Sequence, residues 1–148
     1  MRLIRISLVV LFAFLLCTAC WFDVAPVEVF IQARDQAGND ILDPGSDLFI
    51  GDAITMNYDG KDYPMVLPTK VYPAIIKGLE LVNYSGVWTL RFGELDGAQN
   101  HDETFTLTWP DGTKDVISFK RINISPMTSF DTWRLNGKKT GMPIVIEK

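Results

Sequence analysis

Between residues 27 and 148 no window keeps apolar side chains at i, i+3, i+4 and i+7 for three turns. Short runs of alternating apolar and polar residues recur instead, each stopped by turn-forming residues. A period of two sends successive side chains to opposite faces of an extended chain, so the pattern restricts this body to strands. Val27 to Arg34 places Val27, Val29, Ile31 and Ala33 on one face and Glu28, Gln32 and Arg34 on the other. Gly86 to Leu95 sets Trp88, Leu90 and Phe92 against Val87, Thr89 and Arg91. Thr104 to Trp109 sets Phe105, Leu107 and Trp109 against three threonines. Trp88 and Trp109, in register with those apolar neighbours, are expected in the core.

The turns carry their own chemistry. Asp59-Gly60 lies between Ile54–Tyr58 and Lys61–Val66 and suits a type I′ turn, which needs positive φ at both central residues. Trp109-Pro110-Asp111-Gly112-Thr113 joins Thr104–Trp109 to Val116–Ile122. Asn136-Gly137 follows Trp133-Arg134-Leu135 and precedes a closing strand, Pro143–Glu147. Residues 37–52 are turn-rich and are expected to cross between sheets. Pro68 and Pro73 break any long element, and Val71 to Leu79 fits either a strand or a short turn. The result is eight or nine short strands in about 120 residues. This spacing predicts an all-β fold, an antiparallel β-sandwich of immunoglobulin-like or transthyretin-like type in preference to a closed barrel.

The N-terminus reads as an address. Met1-Arg2-Leu3-Ile4-Arg5 is a short positive segment, and Ile6 to Leu16 is apolar except for Ser7. A helix needs about 20 apolar residues to span a bilayer, so the stretch predicts a secretory leader. Cys17-Thr18-Ala19-Cys20 follows and resembles the lipobox of bacterial lipoproteins, with Cys17 standing where that motif usually has Leu. The resemblance implies a signal peptide over 1–19, cleavage before Cys20, acylation of Cys20, a tether over 20–26 and one domain over 27–148. Trp21 and Phe22 suit the headgroup layer, and from Trp21 to Pro26 the chain reaches only about 20 Å. Position 21 is Trp rather than Asp, and the acids after Cys20 are few. Outer-membrane anchoring is expected, facing the periplasm or the exterior.

Charge narrows the partners. The chain has 14 Lys+Arg and 18 Asp+Glu, and residues 1–19 hold two Arg and no acid, which leaves 12 basic against 18 acidic groups beyond them. A net of −6 speaks against nucleic acid or an anionic lipid surface. Both cysteines lie in the first 20 residues, so no disulfide or thiolate metal site is expected in the body.

Little catalytic chemistry is visible. His101, the one histidine, sits in the polar stretch Asp96 to Glu103 with no nucleophile motif near it, and reads as a loop residue. Asp35, Asp40, Asp43, Asp47, Asp52, Asp96, Asp102 and Glu103 lie beside Gly, Asn and Pro, where carboxylates shape turns. Asp35 to Asp40 echoes a calcium loop without its alternating ligands or terminal Glu. No cofactor, metal or catalytic residue is therefore assigned. The aromatic residues are the remaining candidates: Tyr58, Tyr63, Tyr72, Tyr84 and Trp133 are taken as a ligand surface, since exposed rings stack on sugars.

Taken together, the lipobox, the Ala25-Pro26-Val27-Glu28-Val29 strand start, Gly38 to Pro44, the Tyr58-Asp59-Gly60-Lys61-Asp62-Tyr63 hairpin and the Leu135-Asn136-Gly137-Lys138 turn resemble the small single-domain lipoproteins of uncharacterised function abundant in Bacteroidetes. That resemblance implies location and fold and carries no site residues. The function expected is a non-enzymatic binding or interaction module of the envelope, held to the bilayer through acylated Cys20, with a glycan or envelope protein as partner. The alternative is an accessory subunit of an outer-membrane or surface assembly, and a glycan hydrolase ranks third.

Overall fold

A computed structural model describes residues 26–66, 78–125 and 128–148. Cys20 and Tyr72 lie outside the described residues. Ten strands are present: β1 Val27–Arg34, β2 Thr55–Tyr58, β3 Lys61–Val66, β4 Leu79–Tyr84, β5 Val87–Leu95, β6 His101–Thr108, β7 Lys114–Ser125, β8 Thr128–Leu135, β9 Lys138–Thr140 and β10 Ile144–Glu147. One 3-10 turn, Gly51–Ala53, is the single helical element among the described residues. The all-β class read from the alternation is what the chain adopts.

The arrangement differs from two antiparallel layers. All ten strands belong to one sheet in the order β10-β1-β5-β4-β3-β2-β6-β7-β8-β9, nearly closed as a barrel. Two pairs, β1 with β10 and β3 with β4, are parallel, so the sheet is mixed rather than antiparallel. The switch is made on β3, where Lys61 to Pro64 pairs with β2 while Met65 and Val66 pair with β4. Pro64 falls where one ladder gives way to the other, and having no N–H it cannot continue a two-sided ladder. The chain thereby carries one sheet around a corner. Alternation sets which face a residue takes but says nothing about the direction of the neighbouring strand, so the parallel pairs were invisible to it.

The core lies inside this curled sheet and follows the predicted faces. Val27, Val29, Ile31 and Ala33 of β1 are buried, as are Leu90 and Phe92 of β5 and Phe105, Leu107 and Trp109 at β6. Trp88 is half-buried and packs on that cluster. Phe92 sits at the centre, with Tyr58, Tyr63 and Phe105 around it at ring-centroid distances of 5.8, 5.2 and 5.6 Å. All three contacts are edge-on, the geometry that aromatic quadrupoles favour. Because Phe92 belongs to β5 and Phe105 to β6, this cluster joins strands that are remote in the ladder.

Three two-residue turns close hairpins with both residues at positive φ: Asp59-Gly60, Ser85-Gly86 and Asn136-Gly137. That is the type I′ requirement, and Asn and Asp tolerate it better than other non-glycine residues. The first and third match their sequence signatures. In the five-residue loop 109–113, the Trp109 amide donates to Thr113 O and the Gly112 amide donates to Trp109 O, both at 2.9 Å.

One polar cluster pins the C-terminus into this frame. Asp115, 7% exposed, accepts from Trp109 Nε1 at 2.7 Å, Asn136 Nδ2 at 2.7 Å and the Lys148 ammonium at 2.8 Å. Burial raises its pKa, but the bonds from Lys148, Asn136 and Trp109 together overcome this and hold the carboxyl below its ordinary value. Lys148 Nζ also lies 4.6 Å from the centre of the Trp109 ring.

Candidate ligand-binding site

The two outer strands of the ladder, β9 and β10, are joined by residues 141–143 alone, so the seam of the barrel is bridged by three residues. Beside that bridge lies a cavity of about 350 Å³. Val27, Glu28 and Phe30 at the start of β1, Tyr84 at the end of β4, Arg121 of β7, Asp131 and Trp133 of β8, and Pro26, Met142 and Pro143 line it.

Three aromatic rings flank the cavity. Phe30 and Tyr84 lie 4.8 Å apart, and Tyr84 is 45% exposed. Trp133 is buried, stacked at 4.1 Å and 21° on Phe119, and presents what remains of its surface to the cavity. Trp133 thus belongs to the cavity wall and not to an exposed patch.

Arg121 supplies the polar centre. Its Nε and Nη2 donate to the two carboxylate oxygens of Asp131, each at 2.7 Å, and Nη1 donates to Gly97 O at 3.0 Å. The fork matches the carboxylate with two parallel bonds, which fixes the guanidinium plane. Asp131 pushes the already high pKa of Arg121 further up, so the group is charged at every accessible pH. Glu28, half-buried, adds a carboxylate to the lining. The wall therefore combines apolar ring faces with charged hydrogen-bonding groups held in place.

The tyrosines do not form one contiguous surface. Tyr58 and Tyr63 are half-buried and turned towards Phe92, so they complete the core, while Tyr84 lines the cavity. The reason is register: Tyr58 shares a face with Met56, and Tyr63 is the cross-strand partner of Met56, which is fully buried. Burial, and then the charge of Glu103, pushes the Tyr58 hydroxyl up to about 12.

His101 is not a loop residue. It opens β6, and its side chain is only 9% exposed. Nε2 lies 2.6 Å from Asp96 O and Nδ1 lies 3.2 Å from the Glu103 carboxylate, so each ring nitrogen faces an acceptor. The Nε2 contact ties the 96–100 turn to the strand, and the Nδ1 contact stays within β6. Asp102 and Glu103 lie within β6 and not in a turn, whereas Asp35, Asp40, Asp43 and Asp96 do shape turns: Asp35 accepts from the Asn39 side chain and backbone at 2.7 and 2.8 Å, which lowers its pKa. Asp40 accepts from the Leu42 and Trp88 amides at 2.9 and 3.0 Å, and Asp43 from Gly45 N at 2.8 Å.

Sequence reasoning passed over Phe30, Glu28 and the Arg121–Asp131 pair. Phe30 did leave a trace, since it is the one apolar residue on the otherwise polar face of its strand. Arg121 and Asp131 meet only through the β7–β8 register, which no spacing in the sequence announces. Comparison with protein families, curated proteins and solved structures finds no match for this chain.

Proposed function

We propose that this protein is an envelope lipoprotein, anchored to the outer membrane by acylated Cys20, whose body is a non-enzymatic binding module with its ligand site at the barrel seam. The observation that carries the binding reading is the meeting of Phe30, Tyr84 and Trp133 with the fixed Arg121–Asp131 pair around one cavity. A sugar has the complementary chemistry, with C–H faces for the rings and hydroxyls for the charged groups, so a short glycan is the ligand proposed. The cavity volume falls at the small end of the range for ligand pockets, about 300–1,000 Å³.

A binding role is favoured over hydrolysis by what the candidate catalytic groups are doing. His101 has both ring nitrogens engaged, and the Tyr58 hydroxyl is raised rather than activated. Anchoring is supported by the leader and the Cys17-Thr18-Ala19-Cys20 motif.

The test is titration of the purified chain with envelope oligosaccharides, read by tryptophan fluorescence. Binding that Tyr84→Ala weakens at least tenfold supports the site. Binding unchanged by Tyr84→Ala, or the absence of any glycan that binds, overturns it.

A further inference from the structure

One register row beyond Arg121 and Asp131, the β7–β8 hairpin becomes amphipathic. Ile122 faces Phe130 across the ladder, and Ile124 follows at the register shift between Asn123 and Ser125, where the ladder skips it and leaves its side chain largely in the open. All three are exposed, at 50%, 60% and 68%. The opposite face of the hairpin carries Arg121, Asn123, Ser129 and Asp131. There the Asn123 amide is capped by Asn100 Oδ1 and its side chain donates to Gln99 O, each at 2.7 Å. The polar face is thus taken up by the protein's own 96–100 turn, and the apolar face is turned to the outside.

The path of the chain brings the Cys20 end close to this hairpin. Pro26 and Val27 share the seam cavity with Arg121 and Asp131, the pair directly next to Ile122 and Phe130. Residues 21–25 are all that separate Pro26 from Cys20, a reach of about 20 Å. An acyl group on Cys20 would therefore keep this corner of the barrel within about 20 Å of the lipid.

We infer that the bilayer carrying the Cys20 anchor covers Ile122, Ile124 and Phe130, with the β7–β8 hairpin lying in the interface as a second contact. The inference rests on the anchored reading proposed above. Within the hairpin the rows Ile122–Phe130, Asn123–Ser129 and Ser125–Thr128 pair the backbone, which removes much of the penalty for bringing peptide groups near hydrocarbon. The contact is apolar rather than electrostatic. Lys120, the nearest lysine on the hairpin, is committed to Asp102 at 3.3 Å, and the body is acidic. Hairpin and acyl chains act as two linked attachments, which fixes the orientation of the seam cavity relative to the membrane.

The test uses the full chain isolated from membranes, with Ile124→Cys carrying an environment-sensitive fluorophore, in phosphatidylcholine vesicles with and without nitroxide-labelled lipid. Lys114→Cys, at the far end of β7 and roughly 30 Å away along the strand, is the control. The mass of each labelled chain reports whether Cys20 carries its thioether. The expected result is a blue shift at position 124 and loss of most of its emission to nitroxide lipid, at low and high salt alike, with neither effect at position 114. If Cys20 is acylated and the label at 124 remains in water, the hairpin contact is overturned while the anchor stands. A label shielded from water yet untouched by nitroxide lipid overturns it in favour of a protein contact. A free Cys20 thiol on a chain that does not bind vesicles overturns the anchor reading itself and the hairpin contact with it.

Discussion

Asp115→Asn is the substitution whose cost can be worked most directly from the geometry. The carboxylate serves three donors, Trp109 Nε1, Asn136 Nδ2 and Lys148 Nζ, at 2.7, 2.7 and 2.8 Å. An amide of the same shape keeps one acceptor oxygen and turns an NH₂ group towards a donor. Lys148 is 21% exposed and can turn to water, so losing its pair costs about 1 kcal/mol at most. A buried donor facing the NH₂ group, from Trp109 or Asn136, loses its partner at about 1–3 kcal/mol. The expected loss is about 1–4 kcal/mol. Equilibrium urea unfolding followed by tryptophan fluorescence measures it as a lower midpoint at unchanged slope. The pH dependence gives a second check. The folded carboxyl titrates below its ordinary value of 3.8, so its stabilisation is present above that pH. It is lost as pH falls through the folded pKa, and the gap between wild type and Asp115→Asn should close there. A difference below about 0.5 kcal/mol at neutral pH, or one undiminished in acid, would refute the reasoning.

Three further outcomes are expected. Trp109→Ala removes a side chain that is 2% exposed and should cost about 3–5 kcal/mol in the same unfolding measurement; a loss below about 1 kcal/mol would place the ring outside the core. Asn136→Gly keeps the positive φ of the turn but deletes the side-chain bonds to Asp115 and the Val116 amide, so it should cost about 1–3 kcal/mol by urea unfolding, with strand content unchanged by circular dichroism. Cys20→Ala should move the protein from the membrane to the soluble fraction on centrifugation; continued sedimentation with membranes would mean that something else anchors it.

Where a strand buries apolar residues on one face, its sequence displays it, and this holds for β1, β5 and the second half of β6. The alternation fails where inward positions are polar. His101 and Glu103 fall on the same face of β6 as Phe105 and Leu107, yet they point to a hydrogen-bonded end of the barrel, so the strand looked like a loop. Asn123, Ser125, Thr128 and Ser129 hide the tip of the β7–β8 hairpin in the same way. Leu79 and Leu81 of β4 are fully buried, but Pro68 and Pro73 just upstream obscured the start of that strand. The seam cavity was less visible still. Tyr84 and Trp133 were singled out for their rings, but what unites them with Phe30 and Arg121 is the closure of one end of the sheet towards the other, a property of strand order.

The orientation proposed for the seam cavity at the membrane and the contact proposed for the hairpin both require an acyl group on Cys20. Intact mass spectrometry of the mature protein extracted from membranes measures it directly. A chain beginning at Cys20 and heavier by a diacylglyceryl group, with or without an added amide-linked acyl chain, is the expected result. A chain that retains residues 1–19, or one with an unmodified Cys20 sulfur, would contradict it.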